Sequence, residues 1–92
     1  MAAVVETFRK TAVVGDLKVI TIQTSAAAAT GDTIDFGSDA TDARGVALTE
    51  ILTYIANDDA GASVQATFVP ATGILTLGTI STGIHNITVI GY

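Results

Sequence analysis

Residues 60–92, AGASVQATFVPATGILTLGTISTGIHNITVIGY, contain no Asp, Glu, Lys or Arg. His85 is the only imidazole in the chain. Thr, Ser, Gln, Asn and Gly interrupt the stretch too often for a helical membrane span. Its alternation instead predicts strands separated by turns. An uncharged β-rich segment with an open edge invites pairing with other chains. This third is therefore expected to be covered by the rest of its own fold or by neighbouring subunits.

The remaining composition narrows the choices. The 92 residues make one domain, 1–92, near the small end of what folds alone. Small cores are commonly supported by disulfides, metals or oligomerisation. With no Cys, disulfides and thiolate metal sites are excluded, and a single His offers little to zinc. Oligomerisation is the support that remains. Four basic residues against nine acidic ones, a formal charge of −5, supply no phosphate-binding patch, so a nucleic-acid partner is not expected. Glu6, Arg9 and Lys10 interrupt what would be the apolar core of a secretory signal, so the protein is expected to be made and folded in a cytoplasm, with no membrane partner.

Taken in order, residues 4–14 and 17–23 are two β-rich runs joined by Gly15-Asp16, a two-residue hairpin signal. In the second run Lys18, Ile20 and Ile22 share one face, and Leu17, Val19 and Thr21 share the other. Apolar residues on both faces predict one face on the core and one against a partner. Arg9 and Lys10 are read as solvated charges blunting an edge strand, or as contacts to an acidic partner. Residues 25–31, SAAAATG, are too short for a stable helix and are expected to form a surface loop. Residues 33–36 follow as a short strand with Ile34 and Phe36 on one face.

Residues 37–45, GSDATDARG, are the clearest loop. Asp32, Asp35, Asp39 and Asp42 lie close together, but they lack the register of a calcium loop, and turn-forming Asx contacts account for them better. Residues 46–57 fit helical and strand periodicity alike. A strand over 51–56 after a turn at 45–49 is expected, with a short helix as the competing reading. The strongest hairpin is 63–69, Pro70-Ala71-Thr72-Gly73, then 74–77, a type I turn closed by a bulge glycine. Val64, Ala66, Phe68, Leu75 and Leu77 are expected to face inward. Residues 78–83 connect to a last strand over 84–90, with Ile87 and Val89 on one face and Asn86 and Thr88 on the other. The fold class expected is all-β, a small antiparallel sandwich or partly open barrel of about seven strands.

The chain is poor in chemistry. His85 is read as a strand-end His with its ring half covered, and no base or orienting group is paired with it. No carboxylate pair is favoured by spacing, and the glycines are isolated turn markers rather than a phosphate loop. Asn86-Ile87-Thr88 matches a glycosylation sequon, but within a strand it is read as chance. No enzyme activity, cofactor or metal is expected. Candidate contacts to a partner or a second copy are Arg9, Lys10, Gln65, Thr67, Thr76, Asn86, Thr88 and Tyr92.

The run VETFRKTAVVGDLKVITIQ and the ending ITVIGY resemble small structural proteins of tailed bacteriophages. Those proteins are similar to head decoration, or cement, proteins. The likeness covers about 25 residues at the two ends, and the middle agrees only in layout. It implies a β module on the capsid exterior that contacts the major capsid protein and itself, as a homotrimer or homodimer. The hairpin 4–23 would then serve as a capsid-contacting arm. This chain departs from the pattern in AAAATGDTIDFGSDATDAR, where a Pro-Gly-rich segment is expected. A tail-tube, tail-tip or fibre-associated module is the alternative, and would polymerise into rings or stacks. A carbohydrate-binding adhesion module is a weaker one, because no Trp, two Tyr and three Phe give few aromatic platforms.

Overall fold

The structure, a computed structural model, describes residues 3–37 and 48–92. It contains seven strands: β1 (Glu6–Val14), β2 (Leu17–Thr24), β3 (Thr33–Asp35), β4 (Ile51–Asp58), β5 (Ala66–Val69), β6 (Ile74–Leu77) and β7 (His85–Gly91). They form two antiparallel sheets, ordered β1-β2-β7-β4 and β3-β6-β5. The all-β expectation holds, and no helix occurs among the described residues. The ambiguous segment is a strand, β4, because its Thr, Tyr and Ile pair along β7. Asp39, Asp42 and most of the 45–49 turn lie outside the described residues.

Local chemistry accounts for the turns. β1 and β2 close at Val14↔Leu17, and of the two loop residues only Gly15 has positive φ, at 60°, as a type II′ turn requires. In the β5–β6 hairpin the N–H groups of Thr72 and Gly73 both donate to Val69 O, at 3.3 and 3.0 Å. Gly73 takes φ 71° and passes so close to Gly37 that an added Cβ would stand 2.5 Å from its Cα. That approach lets Phe36 N–H donate to Gly73 O at 2.8 Å, which extends the β3–β6 pairing.

One core lies between the sheets. Ile20, Ile22, Ile87, Val89 and Ala56 of the larger sheet meet Ile34, Leu75 and Leu77 of the smaller, with Phe36, Leu48 and Ile51. Each aliphatic side chain buried this way stabilises the fold by about 1.5–3 kcal/mol. The 25–31 loop is anchored here too, by the buried Ala28, and is less exposed than expected. Thr30 Oγ1 pins it by accepting from Ile80 N–H at 3.0 Å.

The sheets are joined at both sides, so the sandwich is nearly a barrel. Ala3 and Val4 lie beside β3, with Val4 N–H donating to Thr33 O at 2.9 Å, and Val5 O already accepts from Ser25 N–H at 2.8 Å before the chain continues as β1 of the other sheet. On the opposite side, residues 63–65 were expected to belong to the fifth strand. Ser63 and Val64 turn instead towards β4, where Val64 N–H donates to Ala56 O at 3.0 Å, whereas Gln65 O accepts from Gly78 N–H at 2.8 Å and prolongs the β5–β6 pairing. Further along the same seam the backbones separate and Tyr54 fills the gap. Its hydroxyl donates to Ala66 O at 2.9 Å and accepts from Ala66 N–H at 3.2 Å. The Tyr54 ring also stacks edge-on against Phe68, centroids 5.8 Å apart. Tyr54→Phe keeps the ring but leaves both groups of Ala66 without that partner. A loss of about 1–3 kcal/mol is expected in urea unfolding, with the strand content unchanged by circular dichroism.

Candidate interaction surface

Register assigns each side chain of the larger sheet to a face. The pairs Ile20↔Val89, Ile22↔Ile87 and Ala56↔Ile87 are inward. The intervening residues are therefore outward, and they line up in rows across the four strands. One row is Phe8–Gln23–Asn86–Asn57, the next Lys10–Thr21–Thr88–Ile55, and the third Ala12–Val19–Ile90–Thr53. Lys10 is the only charged residue in these rows. The second face of β2, expected to meet a partner, lies on this outward surface.

The polar groups at the centre of this face already pair with one another. Thr21 Oγ1 and Thr88 Oγ1 share a hydrogen bond of 2.9 Å, and Gln23 Nε2 donates to Asn86 Oδ1 at 3.0 Å. Apolar groups surround them, with Ile55 59% and Val14 63% exposed. A surface of this kind loses few water hydrogen bonds when covered, so covering it costs little.

The candidate contact residues do not form one surface. Asn86, Thr88 and Lys10 share the outward face of the larger sheet. Thr67 and Thr76 are directly paired on the outward face of the smaller sheet, with Thr33 beside them. Gln65 is exposed just before β5, and Tyr92, 44% exposed, follows β7. Strand alternation predicted which residues point outward, but it could not reveal that β7 and the β5–β6 hairpin belong to different sheets. Gln23, Val19, Ile90 and Ile55 were not among the candidates, although the two-sided apolar pattern of β2 pointed to their face.

Arg9 requires a correction. It was expected to be a solvated or partner-facing charge, yet it is 6% exposed and turned into the protomer. A bulge between Glu6 and Phe8 shifts the register. Residues three apart on a regular strand face opposite ways, but the extra residue puts Glu6 and Arg9 on the same side. Arg9 Nε donates to Glu6 Oε1 at 2.9 Å and Nη2 to Glu6 Oε2 at 2.6 Å. Nη2 also donates to Asp35 O at 3.1 Å, and the guanidinium lies 5.1 Å from the centroid of Phe36. Lys10 alone of the pair is exposed, with Nζ 5.2 Å from the Phe8 ring centroid.

His85 is buried rather than half covered, at 1% exposure. Its Nδ1 lies 2.9 Å from Gly83 O, and since a carbonyl only accepts, Nδ1 carries the proton. Its backbone N–H donates to Thr24 Oγ1 at 2.9 Å. The bond to Thr24 ties the start of β7 to the end of β2. Asp32 and Asp35 form short-range turn contacts, accepting from Ala29 N–H at 3.0 Å and Gly37 N–H at 2.9 Å. No group of three or more possible metal ligands occurs among the described residues.

Comparison of the chain with family models, with curated proteins and with solved structures finds no match. The surface geometry and the sequence resemblance therefore carry the functional reading.

The two basic neighbours are expected to respond very differently to truncation. Arg9→Ala leaves Glu6 without its partner and should cost on the order of 3 kcal/mol, measured by chemical denaturation. Lys10→Ala on the open surface should stay within about 0.5 kcal/mol of the parent.

Proposed function

We propose that this protein is a structural component of a tailed-bacteriophage virion, a decoration or cement protein. In this reading it binds the major capsid protein on the outer surface of the shell and stabilises the shell as a homo-oligomer. It is made in the bacterial cytoplasm and added to the capsid exterior, with no nucleic-acid or membrane partner. The observation that carries the reading is the outward face of the larger sheet, uncharged but for Lys10 and with its central polar groups paired. The resemblance of both chain ends to phage head proteins supplies the context.

Adhesion of this kind needs no reaction. A stable contact of standard size buries about 800 Å² on each partner, and symmetry lets one patch be used many times on a shell. The face already has its polar groups paired, so covering it returns apolar area from water at little polar cost. Each bridged pair of capsid subunits then resists separation by the strength of that contact.

Purified protein should add to decoration-free capsids and raise the temperature at which they disrupt. Thr88→Lys puts a charge in the middle of the larger face and should weaken capsid binding by about tenfold or more, near 1.4 kcal/mol, while the unfolding midpoint stays close to the parent's. Thr76→Glu, on the other sheet, should bind as the parent does. Absence of binding by the parent protein would sink the reading, and loss of binding in Thr76→Glu alone would move the contact to the smaller sheet.

A further inference from the structure

Sheet edges are where a small β protein is most open to pairing, and this fold closes most of its own. The edge of β3 is met by Ala3 and Val4. The seam between β4 and β5 is closed by residues 62–64 and by the Tyr54 hydroxyl. β1 is different. It is nine residues long and, among the described residues, pairs on one side only, with β2. Beyond Arg9 its backbone bonds to no other described residue.

The exposed part of that edge, Lys10 to Val14, is apolar where most β edges are guarded. Val13 is 68% and Val14 63% exposed, and Ala12 is exposed between Thr11 and Val13. Native proteins blunt such edges with charges, prolines or covering segments. Lys10 is the only charge here, and it stands at one end.

We infer that this edge pairs with the same edge of a second copy, β1 against β1 in antiparallel register across a two-fold axis at Ala12. That register is chosen by charge and shape. It sets Lys10 opposite the partner's Val14 and Thr11 opposite the partner's Val13, so each exposed valine gains a cross-strand neighbour. The two Lys10 residues are then about 14 Å apart along the strands, beyond the Debye length of about 8 Å at physiological salt. An axis at Lys10 would oppose the two ammonium groups, and an axis at Val13 would run the pairing into the Gly15 turn. A two-fold pairing of identical edges closes on itself and leaves neither edge free to grow a fibre. It also joins the two larger sheets into one, in the order β4-β7-β2-β1-β1-β2-β7-β4, and doubles the outward face, whose only charges in the three rows are then the two Lys10 residues either side of the axis.

This dimer does not depend on the virion reading and is tested in isolation. The parent protein should show the mass of two chains by light scattering at micromolar concentration. Ala12→Lys, which brings two ammonium groups together on the axis, should give the mass of one chain with an unchanged circular dichroism spectrum. Ala12→Cys introduces the only thiol in a cysteine-free chain. Directly opposed residues in antiparallel strands have Cα atoms about 4.5–5.5 Å apart, within disulfide reach. Mild oxidation should therefore link Ala12→Cys into dimers, and much faster than Val69→Cys, whose site is exposed on the other sheet. A parent mass other than two chains overturns the inference. So does an Ala12→Lys protein of parental mass, or equal crosslinking of the two cysteine variants. Because capsid addition is scored by a separate assay, failure here is distinguishable from failure of the decoration reading.

Discussion

The ion pair of Glu6 and Arg9 exists because one extra residue lies between the strand positions that flank it. Without the irregularity between Glu6 and Phe8 the two side chains would face opposite sides of β1. With it, Arg9 is committed to the interior, forked on Glu6, bonded to Asp35 O and laid against Phe36. A guanidinium taken this far from water is tolerable only with several partners in fixed geometry. Those partners come from β1 itself and from the end of β3, so the interaction fastens one sheet to the other. Its geometry also sets the parity of the rest of β1, placing Lys10, Ala12 and Val14 outward.

Tyr54 does the corresponding work on the other side. Two backbones too far apart to pair directly are joined by a phenol oxygen that both donates and accepts. A buried N–H or C=O without a partner costs about 1–3 kcal/mol, so this hydroxyl stands in for a missing ladder rung. Between these two fastenings the aliphatic layer of Ile20, Ile22, Ile87 and Val89 needs no polar residue to locate it. The smaller sheet can then cover the inward side with only three short strands.

Much of this was legible from residue order. The two-residue Gly15-Asp16 hairpin, the Pro70–Gly73 turn and the inward faces of β2, β6 and β7 follow from turn chemistry and alternation, which act locally. Three features were not legible, each for a physical reason. Arg9 is inside because of the bulge at Thr7, and nothing in Glu-Thr-Phe-Arg distinguishes a bulged strand from a regular one. His85 is fully covered where β7 meets the end of β2, its backbone N–H bonded to Thr24 Oγ1, a long-range contact. Thr76 and Thr88 were grouped as candidate contacts but face out from different sheets, since parity within a strand is silent about which sheet the strand joins. The β5–β6 hairpin and β7 are adjacent in sequence and separate in space.

The uncharged final third acquires a definite meaning from that separation. Its inward half, Leu75, Leu77, Ile87 and Val89, is the core. Its outward half is divided between two sheets, and only on the larger are the central polar side chains bonded to each other, Thr21 to Thr88 and Gln23 to Asn86. This distinction governs what each face can do. A threonine that hydrogen-bonds only to water must be stripped of it before anything can cover it, whereas one already bonded across the strands carries its partner into the covered state. A charge would cost several kcal/mol more to strip, and the rows of the larger face hold only one, at the β1 edge. The pairings that cross the strands therefore make this face inexpensive to cover, because its central polar groups carry their partners with them into the covered state.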